Sequence, residues 1–115
     1  YGLLAQDENI YKNSNIKENI VYNYNKSGLI NFTRALASRY AKHGIRSNVI
    51  CPGGIRDKTN KLQSTNFLNN YSKRVPIGRL AIPSEIASVI LFLASDGSTY
   101  VNGSSIVVDG GWSSI

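Results

Sequence analysis

Tyr22 and Lys26 stand four residues apart in "YNYNKSGLINFTRAL", residues 22–36. On a helix that spacing puts both side chains on one face, one turn apart, where the ammonium can lie near the phenol oxygen or near a ligand shared by both. The chemistry this suits is proton transfer to or from a carbonyl oxygen. A free phenol ionises near about pH 10, whereas an acid–base group works best near the operating pH, so ionisation has to be eased by about 3 to 4 kcal/mol. One positive charge about 4 Å away supplies on the order of 4 kcal/mol at an effective dielectric of 20, but only about 1 kcal/mol in open water. The pair therefore needs a site closed by a cofactor or a lid.

Several elements must carry and face that pair. From Tyr22 to His43 the apolar residues Leu29, Phe32, Leu36 and Tyr40 step by three or four, with Ile30, Ala37 and Ala41 widening the stripe, which is the helical period. Lys42 and His43 fall in its last turn and Gly44 follows, so His43, the only histidine, reads as a capping residue rather than a catalyst. "IRSNVICPGG" reads as a strand running into a loop at Pro52, Gly53 and Gly54, whose backbone can approach a ligand closely. Residues 57–75 form a polar, Asn-rich excursion with Leu62, Phe67, Leu68, Tyr71 and Val75 at helical spacing, which predicts one or two short, mobile helices. Pro83 and Glu85 open a further helix, and "EIASVILFLAS" is apolar nearly all round, so it must be covered on both sides, by another subunit or by more of the chain. "SSIVVDGG" is a short β-branched strand stopped by glycines. Residues 112–115 either fold back or reach a partner, and residues 4–20 read as a polar loop or short irregular helix. Two strands joined by a long helical crossover run parallel. The fold class is thus α/β, part of a doubly wound parallel sheet.

Composition bounds the function classes. A length of 115 residues allows at most one domain, and 42% hydrophobic with 17% charged residues is ordinary for a globular protein. The longest apolar run, "IASVILFLA", is too short for a membrane span. The net charge of +6 is spread along the chain without a run of five like charges or an aromatic-interleaved patch, which argues against nucleic acid as a partner. Cys51, the single cysteine, cannot form an internal disulfide and reads as a packing residue at a strand end. The cytoplasm is the expected location, and no metal-ligand cluster is apparent. The chain begins at Tyr1 and contains no methionine, so residues 1–115 are expected to be a single partial domain of a longer protein. The Asn-X-Ser/Thr matches at Asn25, Asn31 and Asn102 are discounted, because two fall inside the predicted helix.

The Tyr22–Lys26 pair, "VICPGGI" and "PIGRLAIPSEIASVILFLASDGSTYVNGSSIVVDGGW", in that order and spacing, resemble the short-chain dehydrogenase/reductase family from Tyr22 to the end of the chain. The resemblance implies the C-terminal half of a Rossmann-type domain, a three-layer α/β/α arrangement binding NAD or NADP. It implies that Tyr22 is the general acid/base and that Lys26 eases its ionisation and hydrogen-bonds the nicotinamide ribose. Pro52, Gly53, Gly54 and Ile55 would bind the nicotinamide end of the cofactor. The family's Gly-rich phosphate turn has no counterpart here, and its catalytic serine is expected before residue 1, with Asn9 at one usual spacing and Ser14 a weaker substitute. Asp57 stands where the family commonly has threonine, and Thr59 is the alternative. The implied reaction is hydride transfer between the nicotinamide and a small carbonyl or alcohol. Polarity of the segments before Tyr22 and at 57–75 suggests a hydroxylated, sugar-like substrate, and resemblance to flagellin- and sugar-modification members points the same way. A homo-oligomer, dimer or tetramer, is expected of the full-length protein, with these residues alone inactive. The competing reading is a catalytically silent member acting as a binding or subunit-interaction module.

Overall fold

Asn19 starts the long helix by accepting the N–H of Val21, and Gly44 ends it in the left-handed conformation at φ 73°. Between them lie α1 (Ile20–Tyr40) and a 3-10 turn at Ala41–His43, so His43 stands in the terminal turn as its spacing predicts. The computed structural model describes residues 1–115 and continues with β1 (Val49–Pro52), α2 (Thr65–Arg74), α3 (Pro83–Ala94) and β2 (Ser105–Val108). β1 and β2 pair in parallel, with Val49 opposite Ser105 and Pro52 opposite Val108. The crossover between them carries α2 and α3, as a parallel pair requires. An isolated parallel bridge between Ile55 and Ala81 extends the order beyond the end of β1.

Polar side chains brace the start of the sheet. Arg46 donates to the carbonyls of Val101 and Leu93, and Asn48 donates to Val101 while accepting from Ser104 N–H. Asn102, one of the discounted glycosylation matches, accepts from Ser47 N–H and donates to Ala37 O, so it ties the end of α1 to both strand entries.

The structure selects one face of the α1 stripe, and two sequence expectations need correction. The buried face of α1 is Ile30, Thr33 and Ala37, while Leu29, Phe32 and Tyr40 are exposed. The helix has two apolar faces, and a two-stranded sheet covers only one. Residues 57–75 are not a loose excursion: α2 places Phe67 and Tyr71 in the main core with Val75, Leu80, Trp112 and Ile10. Ile10, from the polar segment read as aperiodic, is among the two most deeply buried side chains in the chain. It sits in a 3-10 turn, Glu8–Tyr11, that is held to α2 by Asn66 and Asn70 donating to the carbonyls of Asn13 and Lys12, both at 3.0 Å. Backbone-directed asparagines carry no apolar periodicity, so hydrophobic patterning missed the contact. On α3 only Ile86 is buried, while Ile90, Leu91 and Phe92 remain exposed. Within these residues nothing covers its second face. The tail folds back, with Trp112 buried 4.7 Å from Tyr71, centroid to centroid.

Candidate active site

Along β1 and the loop at its carboxyl end the chain forms an open cavity of about 450 Å³, on which Tyr22 is 45% exposed. Ligands of open parallel α/β sheets bind at that end of the strands. Tyr22 and Lys26 line it from α1, and Pro52, Gly53, Gly54 and Ile55 line it from the loop that ends β1. The tyrosine–lysine pair and the loop residues 52–55 thus border one space. Tyr1, Tyr11, Tyr71 and Trp112 also border it.

Each wall has an identifiable support. Lys26 Nζ lies 5.2 Å from the centroid of the Tyr22 ring, a cation–π contact along one helix face. The chain's ion pairs are Arg74–Asp7 and Arg79–Glu85, so the Lys26 ammonium has no carboxylate partner and remains a donor for a ligand. Asn23 and Ser27, on the same helix, donate to the carbonyls of Tyr1, Leu4 and Gly2, which straps residues 1–4 along α1. Gly2 is required there, because a Cβ would stand 2.9 Å from the Lys26 carbonyl oxygen. The strap brings the Tyr1 ring edge-on to Tyr22, with centroids 6.3 Å apart.

The loop at residues 52–55 is fixed by its backbone. Gly53 N–H donates to Val108 O at 3.0 Å, and Gly54 N–H donates to the Tyr71 hydroxyl. Gly54 O accepts from Ala81 N–H, and Ile55 O accepts from the Gln63 amide. A Cβ on Gly54 would lie 2.6 Å from Tyr71 Cζ, so only glycine allows this approach. Ile55 N–H has no acceptor within the chain. An unpaired backbone donor, an unpaired ammonium and a phenol around one cavity fit the nicotinamide and ribose end of a dinucleotide. No Gly-rich turn for the pyrophosphate occurs among these residues.

Other sequence candidates lie elsewhere. Asn9 and Ser14 do not border the cavity; the Ser14 hydroxyl donates to Tyr11 O, and the Asn9 amide to Asp7. Asp57 accepts from both the N–H and the hydroxyl of Thr59 in a local turn, so neither residue reaches the cavity. Cys51 does border it, with its thiol pushed up by burial. Sequence reasoning missed Tyr71, Tyr11 and Tyr1 as wall residues. Tyr71 offered one signal, an aromatic on the same helical stripe as Phe67, and Tyr11 offered none.

A parallel sheet with crossover helices and a cavity at its carboxyl edge is the arrangement of dinucleotide-binding α/β proteins. The family model described as enoyl-(acyl carrier protein) reductase matches residues 9–113. The chain is 43% identical over 95 residues to the 2-dehydro-3-deoxy-D-gluconate 5-dehydrogenase of Escherichia coli, covering 79% of this chain and 37% of that protein. It is 45% identical over 86 residues to the 3-oxoacyl-[acyl-carrier-protein] reductase FabG of Chlamydia trachomatis, covering 75% of this chain and 35% of that protein. The crystal structure of a short chain dehydrogenase from Leptospira borgpetersenii with bound NAD+ superimposes with a TM-score of 0.85 at 39% identity, over 96% of this chain and 40% of that one. The chain belongs to the short-chain dehydrogenase/reductase family. It spans 37% or less of the length of these curated relatives.

Proposed function

We propose that the complete gene product is an NAD(P)-dependent oxidoreductase acting between a carbonyl and an alcohol, with Tyr22 as general acid/base. The observation that carries this reading is the meeting of Tyr22 and Lys26 with residues 52–55 around one cavity, from elements about thirty residues apart. Lys26 holds the cofactor ribose through its free ammonium donors, and the Ile55 N–H is the backbone donor for the nicotinamide end, with Pro52, Gly53 and Gly54 shaping the surface beneath it. When bound, the nicotinamide supplies or takes the hydride. Tyr22 gives its phenolic proton to the carbonyl oxygen in reduction and takes it back in oxidation. Lys26 offsets the charge left on the Tyr22 oxygen; with Tyr22 45% exposed in these residues, the bound cofactor is what keeps water from screening that interaction.

The substrate is a small oxygenated molecule such as a sugar derivative. Support comes from the tyrosine hydroxyls on the walls and from relatives named as dehydrogenases of deoxy sugar acids. The exposed apolar faces of α1 and α3 support a homo-oligomer, a dimer or tetramer, as the working form. No helix is long and apolar enough to cross a membrane, and we place the enzyme in the cytoplasm. The test is turnover of NADH or NADPH by the complete gene product with small aldehydes and ketones, and with Tyr22→Phe in parallel. A fall of roughly 10²-fold or more in kcat for the variant is expected; equal rates would remove Tyr22 from the chemistry.

A further inference from the structure

Beside Tyr22 a chain of three side chains ends in a donor with nothing to donate to. Its direction is set by a backbone group. The N–H of Asn19 can only donate, and it donates to Gln6 Oε1 at 3.1 Å. That fixes the Gln6 amide, whose Nε2 then donates to the Tyr11 hydroxyl at 3.1 Å. With its oxygen already accepting, Tyr11 donates to the Tyr1 hydroxyl at 3.2 Å. Tyr1 receives that bond, and its own O–H finds no acceptor in the chain.

We propose that the Tyr1 hydroxyl is a substrate-recognition donor, presented by Gln6 and Tyr11 to an oxygen on the carbon next to the reacting one, so that the enzyme prefers α-oxygenated carbonyl compounds. The inference rests on the oxidoreductase reading above and deepens it. Three observations carry it. Tyr1 borders the cavity with Tyr22, and their rings stand 6.3 Å apart, so both line the space that a small substrate would fill. The position of Tyr1 is fixed from behind, because Asn23 holds its carbonyl and Ser27 holds that of Gly2. The polarity of the spare group is fixed as well: burial and the hydrogen bond from Tyr11 push the Tyr1 phenol well above its ordinary ionisation range, so it stays a neutral donor. The charged residues bordering the cavity are Lys26 and Asp109, and Asp109 is spent on the N–H groups of Gly111 and Ser113. A neutral oxygen therefore has a dedicated partner here.

The experiment uses the complete gene product and two aldehydes that differ by oxygenation, glyceraldehyde and propanal, with the oxidation of NADH or NADPH followed by absorbance. Tyr1→Phe deletes one hydroxyl and keeps the ring; Tyr11→Phe removes the group that aims it. In Tyr1→Phe the fall in kcat/KM for glyceraldehyde should exceed that for propanal by roughly two- to twelvefold, the span of one neutral hydrogen bond. Tyr11→Phe should shift the same ratio in the same direction by less. Equal losses with both aldehydes, or no loss, would overturn the role of Tyr1 while leaving the oxidoreductase reading intact. Cofactor binding with turnover of neither aldehyde would overturn the substrate class. Absence of cofactor binding would remove the underlying reading itself.

Discussion

The Tyr71 hydroxyl accepts the N–H of Gly54, joining α2 to the loop at the end of β1. The hydroxyl end of the ring approaches Gly54 closely enough to exclude a Cβ, and the ring also packs against Trp112. One side chain thus ties the crossover helix and the tail to the cavity floor. Tyr71→Phe would leave a part-buried N–H unpaired, and a loss of about 1 to 3 kcal/mol is expected in denaturant unfolding of the complete gene product. Gly54→Ala should cost at least as much, because its Cβ meets a ring buried in the core cluster. Unchanged stability in both variants would mean that the loop is held elsewhere.

The polar segment before α1 places one fully buried apolar side chain in the core. Ile10 is 1% exposed, within the cluster that contains Phe67, Tyr71 and Trp112. Ile10→Ala should destabilise by about 2 to 5 kcal/mol through lost burial and the cavity left behind. Trp112, the single tryptophan of these residues, lies in the same cluster, and the loss is read by denaturant unfolding of the complete gene product.

Much of this arrangement was legible in the sequence, for physical reasons that differ by element. α1 and its glycine cap follow from the 3.6-residue period and from the left-handed turn at Gly44. The parallel pairing of β1 with β2 follows from the length of the crossover. The loop at Pro52, Gly53 and Gly54 was legible because glycine permits close approach, whereas Ile55 was placed only by the family resemblance. Which part of the α1 stripe is buried was not legible, since a helix apolar on two faces does not say which one meets the sheet in hand. Ile10 and the Asn66 and Asn70 contacts were not legible, because the bonds run from side chain to distant backbone and leave no spacing to read.

Acid titration offers a separate check on the entry to α3. Arg79 holds Glu85 through two hydrogen bonds, at 2.9 and 2.6 Å, while Glu85 also accepts from Ile82 N–H. Chiefly through Arg79, then through Ile82, the Glu85 carboxyl is pulled down to about 2. A carboxylate depressed in the fold stabilises it above its unfolded value, about 4.3, and that contribution is lost as the pH falls through the folded value. The pair is exposed, so the effect is modest. Wild type should exceed Arg79→Met in stability at pH 6, with the gap closing as the pH falls from about 4 to about 2. A gap independent of pH would rule out the ion pair as its source.

The uncovered face of α3 bears on assembly. Leu91 is 70% exposed and Phe92 48% exposed, in a helix with a polar start and an apolar body. Sedimentation of the complete gene product should show a dimer or tetramer, and Leu91→Glu should shift it toward smaller species. A monomer in both proteins would mean that other residues of the same chain cover this face.

The most direct measurement is calorimetric titration of the complete gene product with NADH and with NADPH, in the wild type and in Lys26→Met. Saturable binding of at least one cofactor is expected, weakened by roughly tenfold or more in the variant, which loses charge-assisted donors. Binding of neither cofactor, or binding indifferent to Lys26, would contradict the assignment of this cavity to the nicotinamide end.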